Sequence, residues 1–209
     1  LPVIQAENLA SAVDVFCETG YFTPEDTAYV LKTAQAYGLK PKIHVNQFNA
    51  IGGVAIGVRY KALSVDHLEL IHDEDLAVLK GSKTMPVALP GCSFFLGIPY
   101  TPARKILDAG LPLALASDYN PGSAPSGNMN FVVSTACVKM KMTPQEAINS
   151  ATINGAFAMG VEQEVGSITV GKKANLILTK TIQSLTALPY SFGSNLIEKV
   201  YVNGKILNK

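Results

Sequence analysis

Short apolar runs alternate with amphipathic segments through the first half of the chain. The runs that are long enough for strands cover residues 12–18, 40–47, 63–67, 83–90 and 112–118. Segments with helical spacing separate them and open at Thr23, Gly52, Asp73 and Thr101. Strands that recur every 20 to 30 residues or so, with helices between them, are typical of parallel βαβ units. We therefore predict an α/β fold built on a parallel sheet.

The pattern changes in the second half. A polar loop over residues 120–128 leads into an apolar helix that ends near Met140, and further helical segments run from Thr143 to Gly160. From Gly166 onward the pattern predicts strands joined by turns, over residues 167–179 and 199–207, and Asn203-Gly204 is a strong hairpin signal. We predict two domains, residues 1–163 and residues 164–209.

Composition narrows the functional classes. The 209 residues are 48% hydrophobic and carry a formal net charge of +1. No run of basic residues supports nucleic-acid binding, and no apolar run is long enough to span a bilayer. The three cysteines are widely spaced in apolar settings, which is typical of reduced thiols in a cytoplasmic protein. No signal-peptide pattern is visible, so a cytoplasmic location is expected.

Polar side chains stand at or near the ends of the predicted parallel strands. They are Glu18, His44, Gln47, His67 and Asp118. In barrels and open α/β sheets the carboxyl ends of strands converge on one rim, where active sites are built. The third histidine of the chain lies in an acidic loop and is expected to be solvated. Two of these residues keep a structural alternative, since the aspartate could cap the turn after it and the glutamate could hold the turn after its own strand.

Two mechanisms could use these side chains. In one, His44 and Asp118 hold a metal that lowers the pKa of a water, and His67 handles protons or stabilises an oxyanion. In the other, His67 and Asp118 form an acid–base pair without a metal. A catalytic zinc takes three protein ligands as a rule, so the metal mechanism requires ligands outside this chain. The loop after the aspartate would contact substrate through the amide of Asn120 and the bare backbone of Gly122.

Several segments resemble the imidazolonepropionases, a family of the metal-dependent amidohydrolase superfamily. They are residues 42–49 (KIHVNQFN), 63–69 (LSVDHLE), 115–123 (LASDYNPGS), 141–147 (KMTPQEA), 151–160 (ATINGAFAMG) and 189–195 (PYSFGSN). The resemblance implies strands four to eight of a (β/α)8 TIM barrel and part of a small β-sandwich domain. It implies hydrolysis of the cyclic amide of 4-imidazolone-5-propanoate to N-formimino-L-glutamate in histidine degradation.

The resemblance also implies roles for individual residues. His44 and Asp118 would be ligands of one Zn²⁺ or Fe³⁺ per complete chain. His67, Asp118 and Gln47 would be catalytic, with Gln47 hydrogen-bonded to the ring carbonyl or to the attacking water. Substrate contacts would come from Asn120, Gly122 and Gln47. The implied partners are the small-molecule substrate and a second copy in a homodimer, without nucleic acid or membrane.

One departure from the family is large. The His-x-His pair of the first barrel strand is absent from these residues, so the chain resembles the C-terminal half of the enzyme. An inactive fragment or a subunit that completes its barrel by association is therefore an alternative, and a metal-free lyase or isomerase is a third. We expect little bound metal and no activity in the isolated chain, and pairing of its uncovered strand edges.

Overall fold

The structure, a computed structural model, describes residues 1–207. Its helices are α1 (Pro2–Ala6), α2 (Pro24–Ala36), α3 (Gly53–Arg59), α4 (Asp73–Lys80), α5 (Pro90–Leu96), α6 (Ala103–Asp108), α7 (Met129–Met140), α8 (Pro144–Ala151), α9 (Ile153–Ala158) and α10 (Ala187–Tyr190). Its strands are β1 (Ala12–Cys17), β2 (Lys40–Val45), β3 (Ser64–His67), β4 (Met85–Ala88), β5 (Ala114–Leu115), β6 (Leu176–Thr179), β7 (Ile197–Val202) and β8 (Lys205–Ile206).

The strands form two sheets, in the order β1-β2-β3-β4-β5 and β6-β7-β8. Neighbours from β1 to β4 are parallel, and the register sets Phe16 beside His44 and Val45 beside His67. The second sheet is antiparallel, and its last hairpin turns at Asn203-Gly204, both with positive φ. The α/β class, the parallel sheet and the hairpin are therefore as the sequence predicts.

Buried and more exposed residues alternate along β1 and β2, so the two strands have two distinct faces. Val15 and Cys17 of β1 are buried, as are Ile43 and Val45 of β2, and the residues between them lie on the opposite face. Period-two alternation of this kind is the geometric property of a strand. It puts the histidine of β2 on the face away from the helix-covered core, together with the even-numbered residues of β1.

Helix α3 packs closely on β2 because glycine faces the strands. A Cβ added at Gly57 would lie 2.8 Å from Cγ1 of Val65 and 2.9 Å from Cδ1 of Ile43. A Cβ at Gly53 would lie 2.5 Å from Cγ1 of Val45. Glycine at these two positions thus allows the short distance between α3 and β2, because a larger residue would clash with the strand side chains.

Replacing Gly57 by Ala should destabilise the fold. Alanine is favoured over glycine in a helix by up to about 1 kcal/mol, but overpacking against two wholly buried branched side chains costs about 1–3 kcal/mol. Urea denaturation should therefore show a lower free energy of unfolding. Gly81, at the end of α4, has φ −88° and nothing within 4 Å of its added Cβ, so Gly81→Ala is the control. Equal stability of the two variants would contradict the packing argument.

The helix starts follow the capping signals in the sequence. The Thr23 side chain accepts from the Asp26 amide at 3.1 Å, and Oδ2 of Asp26 accepts from the Thr23 amide at 3.1 Å. The same reciprocal pair joins Thr143 and Glu146 at the start of α8. Each pair satisfies backbone donors that the first helical turn would leave without a partner. Both predicted helix starts are confirmed.

Four local predictions need correction. The fifth strand covers Ala114–Leu115 alone, and the residues up to 118 run on as irregular backbone. Residues 167–175 are not a strand, because a turn closes between Thr169 and Lys172 and Gly171 has φ 94°. The run predicted as strand to residue 90 ends earlier, and α5 begins at its proline. The helical segment after 143 breaks between α8 and α9, where Thr152 has φ −121° and ψ −91°.

The chain divides into two compact units. The first comprises Leu1–Ala88 and Thr101–Leu113, and the second comprises Leu89–Tyr100 and the chain from Ala114 onward. In the first, α2 and α3 pack on β1, β2 and β3, and α4 packs on α3, while in the second α7 packs on α5, α8 and α10. None of the helices in the described part of the chain has the length and apolar character needed to cross a membrane.

Candidate metal centre

His44 lies near the end of β2, on the face opposite the buried Ile43 and Val45. Its Nδ1 is 3.0 Å from Oδ1 and 2.9 Å from Oδ2 of Asp14, on the neighbouring strand. A carboxylate can only accept, so the ring donates its Nδ1–H to Asp14. In that tautomer the lone pair of the imidazole is on Nε2, the nitrogen that a metal would take.

The backbone of His67, the last residue of β3, has a positive φ. Its φ is +89° and that of Leu68 is +61°, in a region that non-glycine residues rarely adopt. Thr101 Oγ1 donates to the His67 carbonyl at 2.6 Å, and the Leu68 amide donates to the Val45 carbonyl at 3.3 Å. These bonds hold a conformation that costs about 1–3 kcal/mol per residue. The ring centroid lies 5.2 Å from that of His44, with the planes at 61°.

Glu69 places a buried carboxylate behind His67. Its Oε1 is 3.5 Å from the His67 Nδ1, and the two side chains are 1% and 4% exposed. The two atoms are close but not hydrogen-bonded, and Nδ1 makes no hydrogen bond among the described residues. A buried ring nitrogen without a hydrogen-bond partner costs free energy.

Asp118 follows β5 in the second unit. It is half-buried and has φ +53°, again in the left-handed region. Nδ2 of Asn120 donates to its carbonyl at 2.7 Å, which holds the backbone where the strand gives way to the turn. Asp118 therefore has a left-handed but hydrogen-bonded backbone in the irregular segment that follows β5.

The turn after Asp118 is built around the side chain of Asn120. Its Oδ1 accepts from the amides of Gly122 and Ser123, both at 2.8 Å, and its Nδ2 also donates to the Ser123 hydroxyl at 3.0 Å. The side-chain amide of Asn120 is thus hydrogen-bonded within the turn. Aspartate and asparagine are favoured in turns because their side chains can bond the backbone in this way. Contacts of Asn120 and Gly122 with a substrate remain predictions.

Glu18, at the end of β1, holds the loop that follows β2. It is 2% exposed, and its carboxylate accepts from the Phe48 amide at 3.0 Å and the Asn49 amide at 3.1 Å. Nδ2 of Asn49 adds a bond at 3.0 Å, and the Thr19 amide adds one at 2.8 Å. The same loop carries Gln47, which is 8% exposed. These contacts favour the structural alternative for the glutamate.

Replacing Glu18 by Gln should destabilise the fold. Burial raises the pKa of this carboxyl, but the hydrogen bonds from the loop outweigh burial and hold the pKa below the ordinary 4.5. The amide has a donor where the carboxylate accepts, so buried N–H groups lose partners at a cost of about 1–3 kcal/mol. Urea denaturation at neutral pH measures this loss.

The pH dependence of that loss has a definite sign. Since folding lowers the pKa of Glu18, its contribution to stability is present above the unfolded-state value and is lost as the pH falls through the folded-state value. The difference between wild type and Glu18→Gln should therefore shrink in acid. Glu198→Gln, at an exposed position of β7, is the control. A constant difference at all pH values would contradict the assigned charge state.

His44 and His67 lie on neighbouring strands of the first unit, with their ring centroids 5.2 Å apart. Imidazoles are ligands that suit zinc and iron. Because Nδ1 of His44 is hydrogen-bonded to Asp14, Nε2 is the nitrogen that would bind the metal, as is usual for metal-binding histidines. The residues present therefore fit a metal. The sequence predicts His44 and Asp118 as the ligands and His67 as the proton carrier, and these individual roles stay predictions.

His72, the remaining histidine, is exposed as expected. It precedes α4, where its amide donates to Asp75 Oδ2 at 3.0 Å. Sequence reasoning missed Asp14 and Glu69, which contact the two candidate histidines. It also missed Asp66, a register partner of His44 that is 6% exposed and lies 3.5 Å from Lys42 Nζ. Alternation along β1 and β2 could have indicated Asp14, because it places that residue on the face of His44.

Comparison with known proteins identifies relatives across nearly the whole chain. Residues 22–207 match the sequence profile of the amidohydrolase family. An imidazolonepropionase from Christiangramia forsetii is 66% identical over 207 residues, which cover 99% of this chain and 50% of that protein. One from Flavobacterium johnsoniae is 65% identical over 207 residues, with the same coverage of 99% and 50%. The chain thus spans about half the length of the relatives it matches, and the predicted resemblance is confirmed.

Solved structures agree on the fold. The chain superposes on an adenosine deaminase from Xanthomonas campestris with bound zinc at a TM-score of 0.79 and 18% identity, covering 93% of this chain and 51% of that one. At this identity the likeness concerns the fold alone. With the parallel sheet and the small antiparallel sheet, it confirms the predicted class, a partial barrel of the amidohydrolase type.

Proposed function

Because the chain belongs to the amidohydrolase family, we propose that the protein hydrolyses a cyclic amide C–N bond. The proposed substrate is 4-imidazolone-5-propanoate, opened to N-formimino-L-glutamate in histidine degradation. The observation that carries this proposal is the identity of 66% with an imidazolonepropionase over 99% of the chain. The same stretch includes each strand-end residue to which the sequence assigns a role.

His44 and Asp118 are the proposed metal ligands, for zinc or iron. The support for His44 is the hydrogen bond that directs its Nδ1 to Asp14, and the support for Asp118 is the resemblance of residues 115–123 to the family. When bound, such an ion lowers the pKa of a water toward neutrality and polarises a carbonyl oxygen. The protein contributes the direction of the His44 ring, which the strand register and the hydrogen bond to Asp14 fix in advance.

His67 is the proposed proton carrier. Its Nδ1 lies on the Glu69 side, so Nε2 is the nitrogen that would exchange a proton with substrate or water. The side chain of Gln47 is an amide, which cannot take a proton. Proton transfer therefore falls to Nε2 of His67 and to the carboxylate of Asp118. A carboxylate near the far nitrogen stabilises the imidazolium that forms during transfer.

The substrate contacts are proposed for Gln47, Asn120 and Gly122. The loop that carries Gln47 is held rigid by Glu18, and an amide fixed in this way can hydrogen-bond the ring carbonyl. Gly122 has no side chain, which leaves its backbone accessible to a ligand. The Asn120 side chain supports the turn, so its contribution to binding would be the shape of that turn.

Domain organisation and assembly complete the proposal. Residues 1–163 would belong to the barrel and residues 164–209 to a small β domain, which is supported by the position of β6, β7 and β8. A homodimer in the cytoplasm would fit a small-molecule enzyme of metabolism.

Turnover of the proposed substrate tests the function. Full-length protein with its metal should convert imidazolonepropanoate to N-formiminoglutamate, followed by NMR of the product. The same ring without its propanoate chain is the control, and we expect much slower opening. Protein with metal bound and no conversion of imidazolonepropanoate would contradict the proposal.

A further inference from the structure

The contact between Asp14 and His44 crosses two neighbouring strands. Asp14 of β1 and His44 of β2 lie on the same face, two residues apart in register, because Phe16 is the register partner of the histidine. Both carboxylate oxygens are within hydrogen-bond distance of Nδ1, at 3.0 Å and 2.9 Å. Both strands are fixed by the parallel ladder, so the contact does not depend on a loop.

We propose that Asp14 is a positioning residue that fixes the tautomer and orientation of His44, so that Nε2 is presented as a ligand atom. This inference rests on the proposed function and adds a residue to it. Neutral imidazole in water exchanges its proton between the two nitrogens, and the partner of one nitrogen decides which tautomer is present. A carboxylate accepts and cannot donate, so at this position it selects the Nδ1–H form.

The surrounding charges leave this role to Asp14. Asp66, the register partner of His44 on β3, is paired with Lys42 instead, whose Nζ lies 3.5 Å from its Oδ2. Lys42 also donates to the hydroxyl of Ser64. Asp14 is 43% exposed at its side chain and His44 is 25% exposed, so the contact is partly screened by water and would act mainly through geometry.

Nitrogen-15 NMR of histidine-labelled, metal-free protein at about pH 8.5 tests the tautomer directly, since imidazole is neutral there. A His44→Asn sample assigns the signals. We expect Nδ1 of His44 to be the protonated nitrogen in wild type and the protonated fraction to move to Nε2 in Asp14→Ala. Asp108→Asn, at an exposed acid on α6, is the matched control and should leave both signals unchanged.

Metal affinity gives a second readout. In the full-length protein, competition with a chelator should show a metal dissociation constant about 10–100-fold higher in Asp14→Ala than in wild type, the usual effect of losing such a partner. Asp14→Asn keeps the size of the side chain and should give a smaller increase, and it replaces the alanine variant if that variant does not fold. An unchanged tautomer with unchanged affinity would overturn the inference. Wild type that binds no metal would count against the proposed function, while the NMR result still decides the role of Asp14.

Discussion

Replacing His44 by Asn in the full-length protein removes the metal and with it the turnover. The residue is the proposed imidazole ligand, and its ring is directed by Asp14 at 2.9 Å and 3.0 Å. Loss of a supporting partner weakens metal binding by about 10–100-fold, and loss of the ligand itself should exceed that. Elemental analysis of the purified variant should show a metal content near zero, and imidazolonepropanoate should not be converted.

The chain offers a matched control for this variant. His72 is exposed and contributes only its backbone to the start of α4, so His72→Asn should keep wild-type metal content and turnover. Circular dichroism of His44→Asn should match wild type, because the histidine is on the face opposite the buried side of β2. A variant that keeps its full complement of metal would show that His44 is not a ligand.

Replacing His67 by Asn should reduce kcat and leave the metal in place. General acid–base catalysis by one side chain contributes about 10²–10⁴-fold, and Gln47 cannot substitute for it. Glu69 lies beside the ring of His67, and Thr101 donates a hydrogen bond to the backbone carbonyl of the same residue. These contacts fix the position of His67. The measurement is kcat with saturating substrate, normalised to bound metal.

The same variant separates two roles of His67. Its ring centroid lies 5.2 Å from that of His44, so a ligand role is the competing possibility. If His67 carries protons, metal content stays at the wild-type level and the acid–base pH profile of kcat is altered. If metal content and kcat fall together, His67 is a ligand and proton transfer belongs elsewhere. His72→Asn serves as the control here as well.

The sequence predicts the positions of the strand-end residues because they depend on local pattern. Apolar runs locate β1 to β4, and the residue at the end of each run follows directly. The capping boxes at Thr23 and Thr143 are equally local. The candidate site residues can therefore be predicted from the sequence, since parallel strands bring their carboxyl ends to one edge of the sheet.

The partners of these residues are not local, and the sequence does not reveal them. Asp14 contacts His44 across 30 positions of sequence because of strand register, and Glu18 reaches the loop at Phe48 and Asn49 in the same way. Positive φ at His67 interrupts the alternation that would predict which way its ring points. The predicted strand over 167–175 fails because alternating polarity can also belong to a turn-rich loop.

Dependence of turnover on metal tests the central claim most directly. Full-length protein is stripped with a chelator, reloaded with zinc or iron in steps, and assayed with imidazolonepropanoate at each step. We predict no turnover in the stripped protein and activity that rises in proportion to bound metal, up to about one ion per chain. Full turnover by stripped protein, or none after reloading to one equivalent, would contradict the account.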